Sequence, residues 1–208
     1  MQYTYEHTKA LAQEAFQLCL QGELYHALEV LHRTRNHLKA LSGDLPIVGH
    51  SSSETDSPDR PDMHFITQSF AEAQAWGWLE FTSGVFKLMQ DRPGGSLVHF
   101  TRAWRIWRPW SMEGGKKSRR EIDEAKRERV RAALWLGEAW ARSISDRASQ
   151  TASAVLRAAL AEIERIGAYD LLEETINQQT LLPPASRGSP TYRQDGQSMP
   201  YVNTFASR

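Results

Sequence analysis

One cysteine, Cys19, is present among 208 residues. An internal disulfide is therefore excluded, and so is a zinc site of Cys/His spacing. Neither sign of charge is in excess, with 25 Lys plus Arg against 25 Asp plus Glu. No whole-molecule field then drives the chain toward nucleic acid or acidic lipid, and electrostatic partner choice must come from local patches. No run reaches the roughly 18 apolar residues that a membrane span needs. The opening MQYTYEHTKALAQEAF lacks a basic region followed by an apolar one, so it does not read as a secretory signal. The expectation is a cytoplasmic or nuclear protein with no membrane contact. No segment sustains the period-two alternation of a strand.

What is present is helical periodicity. Residues 4–21 place Leu11, Ala12, Ala15, Phe16, Leu18 and Cys19 at three- and four-residue steps, and Gly22 stops the run. Residues 23–41 restart it with Leu24, Ala27, Leu28, Leu31, Leu38 and Leu41. Residues 43–64 carry three prolines, four serines and several acids. With no periodic apolar face they are expected to form an exposed, flexible loop.

Five of the seven tryptophans then fall within residues 65–110, which predict a helical hairpin around which the rest packs. Phe70, Ala73, Trp76 or Gly77, Leu79, Gly84, Phe86 and Leu88 mark its first helix, capped by Thr67 or Ser69. Pro93-Gly94-Gly95 is expected to break that helix, with Ser96 capping a second helix that ends near Trp107, before Pro109. Residues 111–118 read as a flexible connector. A helix from about 119 to 145 follows, charged on nearly every face in its first half and apolar in its second. Its front is expected to project into solvent or toward a partner, with Asp123 and Arg127 as an i,i+4 pair. Residues 149–166 predict a further helix with the stripe Ala152, Val155, Leu156, Ala159, Leu160 and Ile163, stopped by Gly167. Residues 169–178 predict a short last one. The expected fold is all-α, six to seven helices in antiparallel hairpins. Residues 1–179 form one helical domain, and 180–208 an irregular tail tied down at most by Leu181, Leu182, Tyr201 or Phe205.

The hairpins set a small residue against a large one at a regular distance. Gly84 is followed by Ser96-x3-Phe100 and Ala103, with Pro109 one position late. Ala15, Leu18 and Gly22 are followed by Ala27-x3-Leu31, and Ala133-x2-Leu136-Gly137-x2-Trp140 by Ala152-x3-Leu156 after a turn about three residues longer. This pattern resembles the tetratricopeptide repeat, a two-helix unit of about 34 residues in which small residues admit close helix approach and aromatics fill the groove so made. Glu80 and Lys87 replace aromatics of that pattern. The anchors Ala15, Gly84 and Gly137 are not one repeat apart, so residues 43–64 and the Gly114-Gly115 connector would be insertions. The resemblance implies a short solenoid with a concave protein- or peptide-binding face. A plain helical bundle is the other architecture the pattern fits.

Chemistry-bearing constellations are scarce. The histidines at 7, 26, 32, 37, 50, 64 and 99 contain no i,i+3 or i,i+4 pair, so no helical metal site, and no cofactor, is expected. Glu113-Gly114-Gly115-Lys116-Lys117-Ser118 lacks the first glycine and the preceding strand of a phosphate-binding loop. Cys19 lies on an apolar stripe with no activating histidine in its pattern, and adjacent carboxylates such as Glu173-Glu174 point to different faces. One feature rises above this background, a basic-aromatic stretch from Arg102 to Arg131. Arg102, Arg105, Arg108, Trp110, Lys116, Lys117, Arg119, Arg120, Arg127 and Arg129 are its candidate partner-binding residues. Interleaved arginine and tryptophan suit an acidic peptide or single-stranded nucleic acid. The packing alternative is a helix that buries Trp104 and Trp107 and solvates its arginines. The chain therefore reads as a non-enzymatic interaction module, an adaptor or assembly subunit for a peptide or partner helix, with RNA or single-stranded DNA as the alternative ligand.

Overall fold

A computed structural model of the chain describes residues 4–43, 47–48, 64–65, 67–114, 116–143 and 148–185. These form seven helices: α1 (Tyr5–Leu20), α2 (Leu24–Ser42), α3 (Phe70–Met89), α4 (Pro93–Trp107), α5 (Arg119–Arg142), α6 (Ala148–Ile166) and α7 (Tyr169–Gln179). Two short strands, β1 (Ile47–Val48) and β2 (His64–Phe65), pair antiparallel with Ile47 opposite Phe65 and Val48 opposite His64. The architecture is all-α, with this two-residue pairing the one strand contact among the described residues. Residues 49–63, Tyr201 and Phe205 lie outside the described residues.

The helix ends follow local chemistry. Thr4 accepts from the His7 N–H at the start of α1, and Ser69 accepts from Glu72 at the start of α3. Gly22 and Gly167 end α1 and α6 with φ of 80° and 69°, a conformation that costs glycine little. The start of α4 departs from expectation. The first helix of the hairpin ends at Met89, ahead of the expected break, but the second starts at Pro93 itself, which occupies its first turn, where its fixed φ fits and its missing N–H costs nothing. Ser96 is consequently not the cap. It lies buried inside the turn, and its hydroxyl donates to the Pro93 carbonyl at 2.6 Å.

Consecutive helices stack as hairpins. α1 packs on α2 and α3, α3 on α4, α4 on α5, α5 on α6, and α7 on α5 and α6. A Cβ built on Gly84 would stand 2.6 Å from the Phe100 ring, and one on Gly77 would stand 2.3 Å from Trp107. Seven residues forward along α3 thus correspond to seven backward along α4, the register of an antiparallel pair. Gly137 meets Leu156 in the same way, at 2.5 Å. These glycines are needed for close approach, not for φ.

The hairpin of α3 and α4 is the centre of the molecule. Sixteen of the twenty α3 residues are buried, so this helix has no single apolar stripe. Helices on several sides cover it, as an all-round apolar helix requires. Phe81, which the stripe passes over, is the hub. Its ring lies 5.5 Å from Phe16, 5.4 Å from Trp78, 5.7 Å from Phe100, 6.4 Å from Trp107 and 6.0 Å from Trp135, distances at which offset and edge-on aromatic pairs are favourable. A second apolar cluster, Val130, Leu134, Ala159, Ile163, Ala168 and Leu171, joins α5, α6 and α7. Of the tail, Leu182 is buried against the main core, and Arg142 donates to the Pro183 carbonyl at 2.6 Å.

The charged front of α5 does not project. Its capping box, with Ser118 accepting from Glu121 N–H while Glu121 returns to the Ser118 N–H, fixes the helix start. Its charges then spread to other elements. Lys9 pairs with Glu124 at 2.8 Å, Arg127 with Asp170 at 2.5 Å and Arg129 with Glu162 at 3.0 Å. Asp123 faces Arg119 at 3.8 Å rather than Arg127. Asp123 thus makes its i,i+4 pair backward along the helix, while Arg127 leaves the helix to reach Asp170 of α7, because an exposed i,i+4 pair is worth only a few tenths of a kcal/mol.

Candidate functional site

A shallow, open groove of about 550 Å³ lies among α1, α3, α5 and α7. Ala10, Gln13, Glu14, Phe16 and Gln17 of α1, Trp78 of α3, Glu128 and Arg131 of α5, and Glu174 of α7 line it. Every lining residue comes from an odd-numbered helix, the first member of each successive hairpin or the terminal α7. The α1 residues follow from helical spacing. The stripe at 11, 12, 15, 16 and 19 turns inward, which leaves 10, 13, 14 and 17 on the opposite face.

Arg131 organises the groove floor. Its guanidinium lies 5.2 Å over the Trp78 ring, is hydrogen-bonded to Glu128, and stands 3.5 Å from Glu174. Burial pushes the Glu128 carboxyl above the ordinary range, and the Arg131 charge and hydrogen bond oppose that push. Glu14 and Gln17 are exposed, and Gln13 is half-buried. Trp78 is 5% exposed, and its indole N–H is buried with no acceptor. The groove thus presents two amides, three carboxylates, one guanidinium and an aromatic floor. Such groups recognise a ligand through charge and hydrogen bonds.

The basic-aromatic stretch divides among several environments. Trp107 is fully buried, Trp104 is half-buried, and Arg102 and Arg108 are exposed, with Arg108 lying 5.4 Å over the Trp104 ring. Arg102 stands 3.9 Å from the buried Glu80, as does Arg35, and His99 is hydrogen-bonded to the same carboxylate at 2.7 Å. Arg105 is half-buried. Trp110 donates its indole N–H to Thr67 at 2.8 Å and packs 5.5 Å from Phe70. Lys117 turns back to the Pro109 and Met112 carbonyls. Arg127 is held by Asp170 at 3.2 and 2.5 Å, and Arg129 by Ser111 at 2.9 Å and Glu162 at 3.0 Å. Lys116, Arg119 and Arg120 are exposed around the start of α5.

Sequence patterning did not single out Gln13, Gln17, Trp78, Glu128, Arg131 and Glu174 together. The only signal was the polar face of α1, which any surface helix carries. Cys19 is buried, and burial pushes its thiol up to about 12. Among the described residues no group of three His, Cys, Asp or Glu is placed to hold a metal ion, and no helix is long and apolar enough to cross a membrane. Comparison with protein-family models, curated proteins and solved structures finds no match for the chain.

Proposed function

We propose that this chain is a non-enzymatic interaction module, a tetratricopeptide-like stack of hairpins that holds a peptide or partner helix in the groove of α1, α3, α5 and α7. It acts as an adaptor or an assembly or regulatory subunit. The observation supporting this reading is that the lining comes from successive hairpins and from none of α2, α4 or α6. An extended ligand laid across such a surface touches each unit in turn, which is how stacked repeats make long binding faces. The test is site-specific photocrosslinking of the full chain, with the crosslinker at Gln13 or Gln17 and, as controls, at Glu29 and Glu164. Protein adducts from the groove positions alone support the proposal. Equal adducts from all four positions, or none, overturn it.

Nucleic-acid binding through the exposed Arg102, Arg108, Lys116, Arg119 and Arg120 is the second reading, supported by their grouping on α4 and the start of α5. Against it, Trp107 is buried and the Trp110 N–H is engaged with Thr67, which removes stacking surface from the stretch. RNA and single-stranded DNA titrations at rising salt decide it. Binding through several phosphates must weaken steeply with salt and must be lost on charge reversal at Arg119 and Arg120.

A further inference from the structure

The charge balance of the groove points to the chemistry of its occupant. Three carboxylates line it, Glu14, Glu128 and Glu174, against one base, Arg131. That base is already committed to Glu128 and Glu174. The nearby Lys9–Glu124 pair neutralises itself and leaves the balance unchanged. An anionic segment entering here meets surplus carboxylate and a guanidinium that is already paired. A cationic segment meets two carboxylates that no base neutralises in full. Beneath these carboxylates Trp78 is 5% exposed, and its ring carries the Arg131 guanidinium at 5.2 Å, which holds that base down on the floor. Gln13 and Gln17, four residues apart on α1, add amides suited to a peptide backbone.

We propose that the groove takes a basic peptide segment, with an arginine or lysine side chain directed at the carboxylates of Glu14 and Glu174 and its backbone along Gln13 and Gln17. The inference rests on the groove being the peptide site and adds the sign of the partner's charge. Arg131, 3.5 Å from Glu174, shows within the chain the pairing that such a partner makes with that carboxylate.

The test uses the full chain carrying Ala10→Cys, an exposed position on the groove that makes none of the proposed contacts, labelled with an environment-sensitive maleimide dye. Labelling is selective because Cys19 is buried. Three degenerate short-peptide pools, with a central arginine, glutamate or serine, are titrated against it. The arginine pool is expected to shift the dye at the lowest concentration. Added Glu14→Gln and Glu174→Gln should weaken that response about tenfold, two partly exposed ion pairs at up to roughly 1 kcal/mol each. Glu29→Gln with Glu164→Gln removes the same charge outside the groove and should change it by no more than about twofold. Equal loss in both double variants would mean general surface attraction and would overturn the inference. A dye response to the glutamate or serine pool but not the arginine pool leaves the groove as the peptide site and sinks the basic partner. No response to any pool removes both.

Discussion

Gly77→Ala probes the packing that forms the hairpin of α3 and α4. The added Cβ would stand 2.3 Å from Cε2, 2.5 Å from Nε1 and 2.6 Å from Cζ2 of Trp107. Carbon atoms rest at about 3.5–4.0 Å, so the ring or the helix must retreat by about 1 Å. Trp107 is fully buried, and its ring lies 6.4 Å from those of both Trp78 and Phe81, so it cannot swing away without moving the aromatic hub. Overpacking costs about 1–3 kcal/mol, and a contact this short belongs at the top of that range. Alanine returns about 1 kcal/mol of helix propensity. The net expectation is a loss of roughly 2 kcal/mol, or about 4–8 °C in Tm for a chain of this size. Denaturant unfolding followed by far-ultraviolet circular dichroism measures it. Gly94→Ala is the control, because nothing lies within 4 Å of its Cβ, and it should be neutral or slightly stabilising. Combining Gly77→Ala with Trp107→Phe, which shortens the ring, should recover roughly 1 kcal/mol relative to the sum of the single changes. A Gly77→Ala protein as stable as the parent, or strict additivity in the double variant, refutes the close-approach argument.

Three further outcomes are expected. Native Cys19 should resist a disulfide reagent at neutral pH and react fully in denaturant, since its thiol is buried and pushed up to about 12; rapid native labelling would contradict that burial. Glu80→Gln should cost roughly 2 kcal/mol at neutral pH, because the carboxylate is buried and hydrogen-bonded to His99. Burial raises the Glu80 carboxyl, but the His99 hydrogen bond and the charges of His99, Arg102 and Arg35 outweigh it and hold it below the ordinary range. A depressed carboxyl stabilises the fold above its unfolded pKa and loses that contribution as pH falls through its folded value. The gap between parent and variant should therefore be widest at neutral pH and close in acid, and a gap that widens in acid would reverse the sign of the reasoning. Ser118→Ala removes half of the capping box of α5 and should speed amide exchange in the first turn of that helix; unchanged exchange at Glu121 would deny the cap a role.

Local signals made most of the helix boundaries legible. Apolar spacing together with cap and breaker residues located the segments of the seven helices, where six to seven were expected, and Gly22, Gly43 and Gly167 each stand at an end. The contacts of Gly84 with Phe100 and Gly137 with Leu156 were legible because antiparallel helices joined by a short turn bring such positions together. The break between α3 and α4 was legible, but the start of α4 was read too late, at Ser96, because proline is tolerated in a first turn as readily as it breaks an interior one. The all-round burial of α3 was hidden because Gln74, Glu80, Thr82 and Ser83 dilute its apolar pattern while still being buried.

The sequence by itself determined where most helices start and stop, the start of α4 excepted, and which small residues admit which large ones. Those outcomes depend on neighbours within a few turns of one chain segment. Only the tertiary structure decided which polar faces converge. Lys9 meets Glu124 across 115 positions, and Arg131 meets Trp78 and Glu174 from three different helices. No local periodicity carries that information. The groove exists because the close-packed hairpins hold α1, α5 and α7 at fixed distances around the buried Trp78 of α3, and that spacing belongs to the stack as a whole.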